Sequence, residues 1–143
     1  IASAGLEARL LTVELTSGVT GESHVIETAI DELREAGVRI ALDDFGMATS
    51  LADLKRLPVD EVKIAREFVG AVIGPAEDSA FALSLINIAD IRRVDVVAKG
   101  VESREQAWRL AELGCRYGQG FFFSKPLGAT GVLAVLRQGT LRG

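Results

Sequence analysis

At 143 residues, 48% of them hydrophobic and 25% charged, the chain has the size of one ordinary domain and enough apolar material for a core. A net charge of −4 and a pI near 5.1 exclude a general attraction to nucleic-acid polymers or anionic membranes, so a phosphate-bearing ligand has to be held by local groups or by a metal. The longest uncharged runs, SAFALSLINIA and PLGATGVLAVL, are 11 residues long, short of the roughly 18–20 that cross a bilayer, and no membrane segment is expected.

In chain order, LLTVELT is a short β-rich run, and HVIETAIDELREAG then places Val25, Ile26, Ala29, Ile30 and Leu33 at helical spacing. Ser23 is the expected N-cap beside a surface His24, and Gly37 the expected terminator. VRIAL reads as a strand, residues 43–50 as a loop, LADLKRL as a short helix, and VDEVKI, after Pro58, as another strand. REFVGAVIGPAED leads to a helix over 78–90, then the strand VDVVA, the helix SREQAWRLAELG, the strand GQGFFF and a last helix over 130–137. Trp108 falls at the spacing of a buried helix face, and the lone Cys115, which permits no internal disulfide, reads as a small buried residue suited to a reducing cytoplasm. A chain that begins with Ile1 rather than Met reads as a fragment or a processed product.

Strand and helix alternate about five times, which predicts an α/β fold with parallel pairing and right-handed crossovers. Two architectures meet that description: an open doubly wound sheet, and a (β/α)8 barrel lacking about three of its units. Nothing in the chain suggests a linker or a second domain.

Polar residues recur where the strands end: Glu14, the pair Asp43 and Asp44, Lys63, Lys99 with Glu102, and Gln119. Parallel α/β folds build sites at that end of their strands, and carboxylates from separate strands are the hard oxygen ligands that Mg²⁺ or Mn²⁺ prefers. Each residue also has an ordinary explanation. An Asp-Asp pair serves in turns and helix caps, Glu14 can lie on an exposed rim, and Lys63 can be a solvated strand-end lysine. The glycines flanking Gln119 permit a close backbone approach, while Gly128 and Gly131 near the last helix read as a plain turn.

The strings VELT, ALDDFG, LADLKRLPVDEVKI, VVAKGVES and GQGFFFSKPL, in this order and spacing, resemble the EAL-domain family of cyclic-di-GMP phosphodiesterases over essentially the whole chain. The resemblance implies a TIM-type barrel with one atypical antiparallel strand. In that barrel two Mg²⁺ or Mn²⁺ ions activate a water that opens cyclic-di-GMP to the linear dinucleotide. It makes Glu14, Asp43 and Asp44 metal ligands, with Asp43 bridging both ions. Lys63 matches the lysine near the attacking water. Glu102, grouped with Lys63 as catalytic, and Gln119, as ligand-binding, match residues that support the loops and the ligand pocket.

The departures from the family pattern are specific. The Glu-Ala-Leu signature and the asparagine after it are not present, Ala65 stands where the family reads Lys-Ile-Asp, and Lys99 stands where it reads Ala-Glu-Gly-Val-Glu. Ser17 replaces a second glutamate, and the loop after DDFG is one residue short. We therefore expect about five βα units of an incomplete, degenerate EAL-like domain that binds no metal, with the Lys99 ammonium among Asp43 and Asp44 as a substitute cation. Its expected role is a noncatalytic regulatory, binding or interaction module in the cytoplasm, with cyclic-di-GMP as its candidate ligand. Open sheet edges predict a homo-oligomer or an upstream domain that completes the barrel. The competing readings are a truncated piece of an active phosphodiesterase and an unrelated α/β enzyme with a single Mg²⁺ site.

Overall fold

The structure is a computed structural model that describes residues 5–16 and 24–138; Ser17 and Ser23 lie outside the described residues. After one 3-10 turn at Ala8–Leu10 the order is β1 (Thr12–Leu15), α1 (His24–Glu35), β2 (Arg39–Phe45), α2 (Leu51–Arg56), β3 (Glu61–Ile64), α3 (Arg66–Ala71), α4 (Ala76–Ile91), β4 (Asp95–Lys99), α5 (Arg104–Glu112), β5 (Tyr117–Gln119) and α6 (Ala129–Gln138). Local chemistry sets the helix ends. Ser50 with Asp53 and Ser103 with Gln106 form capping boxes at α2 and α5, satisfying backbone donors that the first helical turn leaves free. α1 and α5 close in the same way: Val38 N–H donates to Leu33 O and Cys115 N–H to Leu110 O, across Gly37 and Gly114 at φ 85° and 92°. α4 closes identically, but Arg93, at φ 56°, occupies the position that favours glycine.

The strands form one sheet in the order β1-β2-β3-β4-β5, and every pairing is parallel. Sequential order without a reversal removes the doubly wound alternative, which needs a switch point in the strand order. The register divides the sheet into two faces. Leu15, Ile40, Leu42, Val62, Ile64, Val96 and Ala98 point one way and share a single core with Ile30, Leu54, Val69, Ala82, Ile86, Ala89 and Leu110 from the helices. The main hydrophobic core thus lies between the strands and one helical layer, as in a sector of a (β/α) barrel that is not closed.

The other face is ionic. Arg39, Asp43, Glu61, Lys63, Asp95 and Lys99 alternate with the core residues along β2, β3 and β4. At its lower end Arg39 binds Asp95 at 2.6 Å and approaches Glu61 at 3.9 Å. Burial pushes the Glu61 carboxyl above its usual range, opposed by the nearby Lys63 and Arg39 charges.

Several expectations are corrected here. Asp43 and Asp44 are not in a loop but inside β2, which runs on to Phe45. GQGFFF is strand only as far as Gln119, because the chain then turns back so that Phe123 N–H and Ser124 N–H both reach Gly120 O. The segment 66–71, given no element from the sequence, is α3, a helix too short for a periodic signal. Trp108 is 63% exposed, since Leu110 and Ala107 supply the packed side of α5. On α1, Ile30 is buried while Val25 is 76% exposed, so the apolar stripe is narrower than its spacing implied. Cys115 is buried as expected, and burial raises its thiol pKa.

Candidate functional site: an ionic rim at the carboxyl ends of the strands

Between the paired residues Leu42–Val62 and Phe45–Ile64, β2 carries Asp43 and Asp44 where β3 carries only Lys63. This is a β-bulge, an uncommon feature between parallel strands, and it answers why two aspartates stand side by side. In a regular strand, neighbours point to opposite faces. Here Asp44 takes φ 48°, so both carboxylates reach the same side. The turn behind them is tightly tied: Asp44 O accepts from the N–H groups of Met47, Ala48 and Thr49, and Thr49 Oγ1 donates to Asp43 O at 2.7 Å.

Two ammonium groups meet these acids. Lys99 Nζ donates to Asp43 Oδ1 at 2.6 Å and to Asp44 Oδ1 at 2.9 Å, while Lys63 Nζ donates to Glu14 Oε1. Asp43 is only 9% exposed and its Oδ1 also accepts from Asp44 N–H at 2.9 Å, so this oxygen carries two donors. Desolvation opposes the charged form of Lys99, but hydrogen bonds from its ammonium to Asp43 and Asp44 outweigh it and raise its pKa. The side chain of Lys63 is 12% exposed, so it is no solvated strand-end lysine.

The structure therefore gathers Glu14, Asp43, Asp44, Lys63 and Lys99 on one face at the carboxyl end of the sheet. Gln119 is the register partner of Lys99 on β5, but its side chain is exposed and unbonded among the described residues. Glu102 lies apart, just past β4 at the entry to α5; its backbone N–H donates to Gln106 Oε1 at 2.7 Å and its carboxylate is exposed. Ala65 follows Ile64 at the end of β3, is fully buried, and caps α3 without a side-chain hydrogen bond. The sequence reading missed the Arg39 cluster with Asp95 and Glu61; the alternation of Arg39, Ala41 and Asp43 along β2 was its signal.

A divalent ion needs several oxygen ligands free to face it. Each of Glu14, Asp43 and Asp44 already accepts from a lysine, and no three His, Cys, Asp or Glu side chains among the described residues converge into a metal-holding set. As they are paired, the described residues do not fit a Mg²⁺ or Mn²⁺ ion. Two hollows lie elsewhere: a cavity of about 650 Å³ lined by Asp90, Arg93, Cys115 and Tyr117, and one of about 530 Å³ near Arg34 and Asp60, both at the opposite end of the sheet.

A sequentially ordered parallel sheet, helices on one face and charged side chains gathered at the strand ends define a segment of a TIM-type barrel with its candidate site on the carboxyl rim. The comparisons with known proteins narrow this class. The family model described as "EAL domain" matches residues 1–126, and the chain belongs to that family. It is 38% identical to the cyclic di-GMP phosphodiesterase NbdA of Pseudomonas aeruginosa over 87% of this chain and 16% of that protein. Among solved structures, the EAL domain of Mycobacterium smegmatis DcpA superposes with a TM-score of 0.92 at 32% identity, covering 99% of this chain and 64% of that one. The manganese and cyclic-di-GMP complex of Klebsiella pneumoniae BlrP1 gives a TM-score of 0.81 at 31% identity, covering 87% of this chain and 32% of that one. The chain spans about a fifth or less of the length of the curated relatives it matches.

Proposed function

We propose that this chain is a noncatalytic EAL module of cyclic-di-GMP signalling, acting as a regulatory, binding or interaction unit. One observation carries the reading: Lys99 Nζ lies 2.6 and 2.9 Å from the two aspartates that the family resemblance makes metal ligands. Two unit charges ~4 Å apart interact by roughly 4 kcal/mol at an effective dielectric of 20, so an ammonium in the place of a metal-facing carboxylate opposes a divalent ion by several kcal/mol. Tenfold in affinity corresponds to only about 1.4 kcal/mol. Ala65, apolar at the end of the intervening strand, offers no replacement ligand. Metal-activated water is therefore not part of the proposed role.

The candidate ligand is cyclic-di-GMP, the nucleotide held in the BlrP1 complex. The β1 and β5 edges carry no paired neighbour among the described residues, which supports completion of the sheet by a second copy or an upstream domain. Residues 1–143 would then form one incomplete EAL-like domain. Among the described residues no helix is long and apolar enough to cross a membrane, in keeping with a proposed cytoplasmic location.

A second reading, a piece of an active phosphodiesterase, is favoured by the convergence of Glu14, Asp43, Asp44 and Lys63 on one rim. Incubation with cyclic-di-GMP and Mn²⁺, following binding by calorimetry and linear product by chromatography, separates the two. We expect no product. Turnover abolished by Asp43→Asn would establish the second reading instead.

A further inference from the structure

We propose that Lys99 is the fixed structural cation of this rim, holding the Asp43–Asp44 bulge to β4 in the place of a divalent ion, so that the rim is a closed ion cluster independent of metal. The inference rests on the functional reading above for the location of the ancestral metal position; the geometry supplies the rest. β2 and β4 are not neighbours, since β3 runs between them. With strands about 4.8 Å apart, their ends are separated by nearly 10 Å, and the lysine side chain bridges that gap.

The intervening strand leaves the route open. Ile64 pairs with Ala98, which brings Ala65 level with Lys99, and the Ala65 methyl contributes neither bulk nor charge to the crossing. On the far side the bulge needs a cation. It turns two adjacent carboxylates to one side through a left-handed Asp44, and one of them is 9% exposed. Uncompensated, two acids in that geometry repel each other and the buried one loses its solvation. The 2.6 and 2.9 Å contacts from one ammonium meet both requirements without an ion from solution. A divalent ion would have to expel Lys99 from the site where the fold anchors it.

The test is thermal denaturation of the full chain, with and without Mn²⁺ alone, for wild type, Lys99→Met, Lys99→Glu and Lys99→Met/Asp43→Asn. Millimolar Mn²⁺ should leave the wild-type Tm unchanged. Lys99→Met should lower the Tm by roughly 5 °C, and adding Asp43→Asn should recover most of that loss, because the buried charge that lost its partner is then gone. Lys99→Glu should acquire a Tm that climbs with Mn²⁺ concentration. A wild-type Tm that climbs with Mn²⁺ as steeply as that of Lys99→Glu overturns the proposal, as does a Lys99→Met variant as stable as wild type. Should the Lys99 variants fail to fold, electron paramagnetic resonance of Mn²⁺ with wild type decides: no micromolar site supports the proposal, and one lost on Asp43→Asn overturns it. Mn²⁺ binding without linear product would remove the structural-cation role alone, whereas product formation would remove the noncatalytic reading.

Discussion

Replacing Gly120 with alanine probes how the last strand is held against the rest of the rim. A Cβ there would stand 2.1 Å from Val101 O and 2.3 Å from Val101 N, distances that no real Cβ tolerates and that involve backbone rather than a flexible side chain. Relief requires the two backbones to separate by close to an ångström, and two hydrogen bonds of 3.0 Å join them at that point: Val101 N–H to Gln119 O, and Phe122 N–H to Val101 O. Losing each costs about 1 kcal/mol net, and more where the freed group stays dry, while overpacking adds about 1–3 kcal/mol, so a destabilisation of roughly 3–5 kcal/mol is expected. With a slope of about 2 kcal/mol per molar urea, the midpoint followed by far-ultraviolet circular dichroism should fall by roughly 1.5–2.5 M. Gly70→Ala is the control: nothing lies within 4 Å of its Cβ, and in α3 alanine should stabilise by about 0.5–1 kcal/mol. A Gly120→Ala midpoint indistinguishable from wild type would refute the close-approach argument.

Leu42→Ala, in the fully buried centre of β2, should cost about 2–5 kcal/mol, whereas Trp108→Ala, on an exposed helix face, should stay within about 0.5 kcal/mol; equal losses in urea titrations would contradict the assigned core. Arg93→Gly should gain about 0.5–1 kcal/mol by relieving the left-handed residue that closes α4, and a loss would show that the Arg93 side chain contributes more than the backbone strain costs. Ser50→Ala should cost about 1 kcal/mol through the α2 cap. Burial opposes ionisation of Asp53, but its hydrogen bonds from Ser50 prevail and hold its pKa below the ordinary aspartate value of 3.8. That contribution is present above pH 3.8 and is lost as the pH falls through the folded-state value, so the difference between wild type and Ser50→Ala should shrink below that point.

Much of the fold is written in local chemistry. The alternation of apolar runs and amphipathic segments placed every strand and all the helices except α3, whose six residues include Gly70 and carry too little periodicity to register. Gly37 and Gly114 marked helix ends because a left-handed closing residue is needed wherever this motif is used. Other features depend on distant partners. Trp108 had the spacing of a core residue, but which stripe of α5 meets the sheet is settled by the neighbouring elements, and Leu110 occupies that side. The choice between an open doubly wound sheet and a barrel sector rested on strand order, to which local pattern is blind.

The rim divides in the same way. The amino-acid order alone determined which charged groups end the strands and that Lys99 and Ala65 stand where the family pattern has acids. Only the tertiary structure decided how those two neighbours can face the same way. A bulge is a mismatch between two strands, two residues set against one, and no single strand carries that count in its own sequence. The contact from Lys99 likewise joins residues 55 and 56 positions apart, across a strand that belongs to neither, so it exists only once the sheet has assembled.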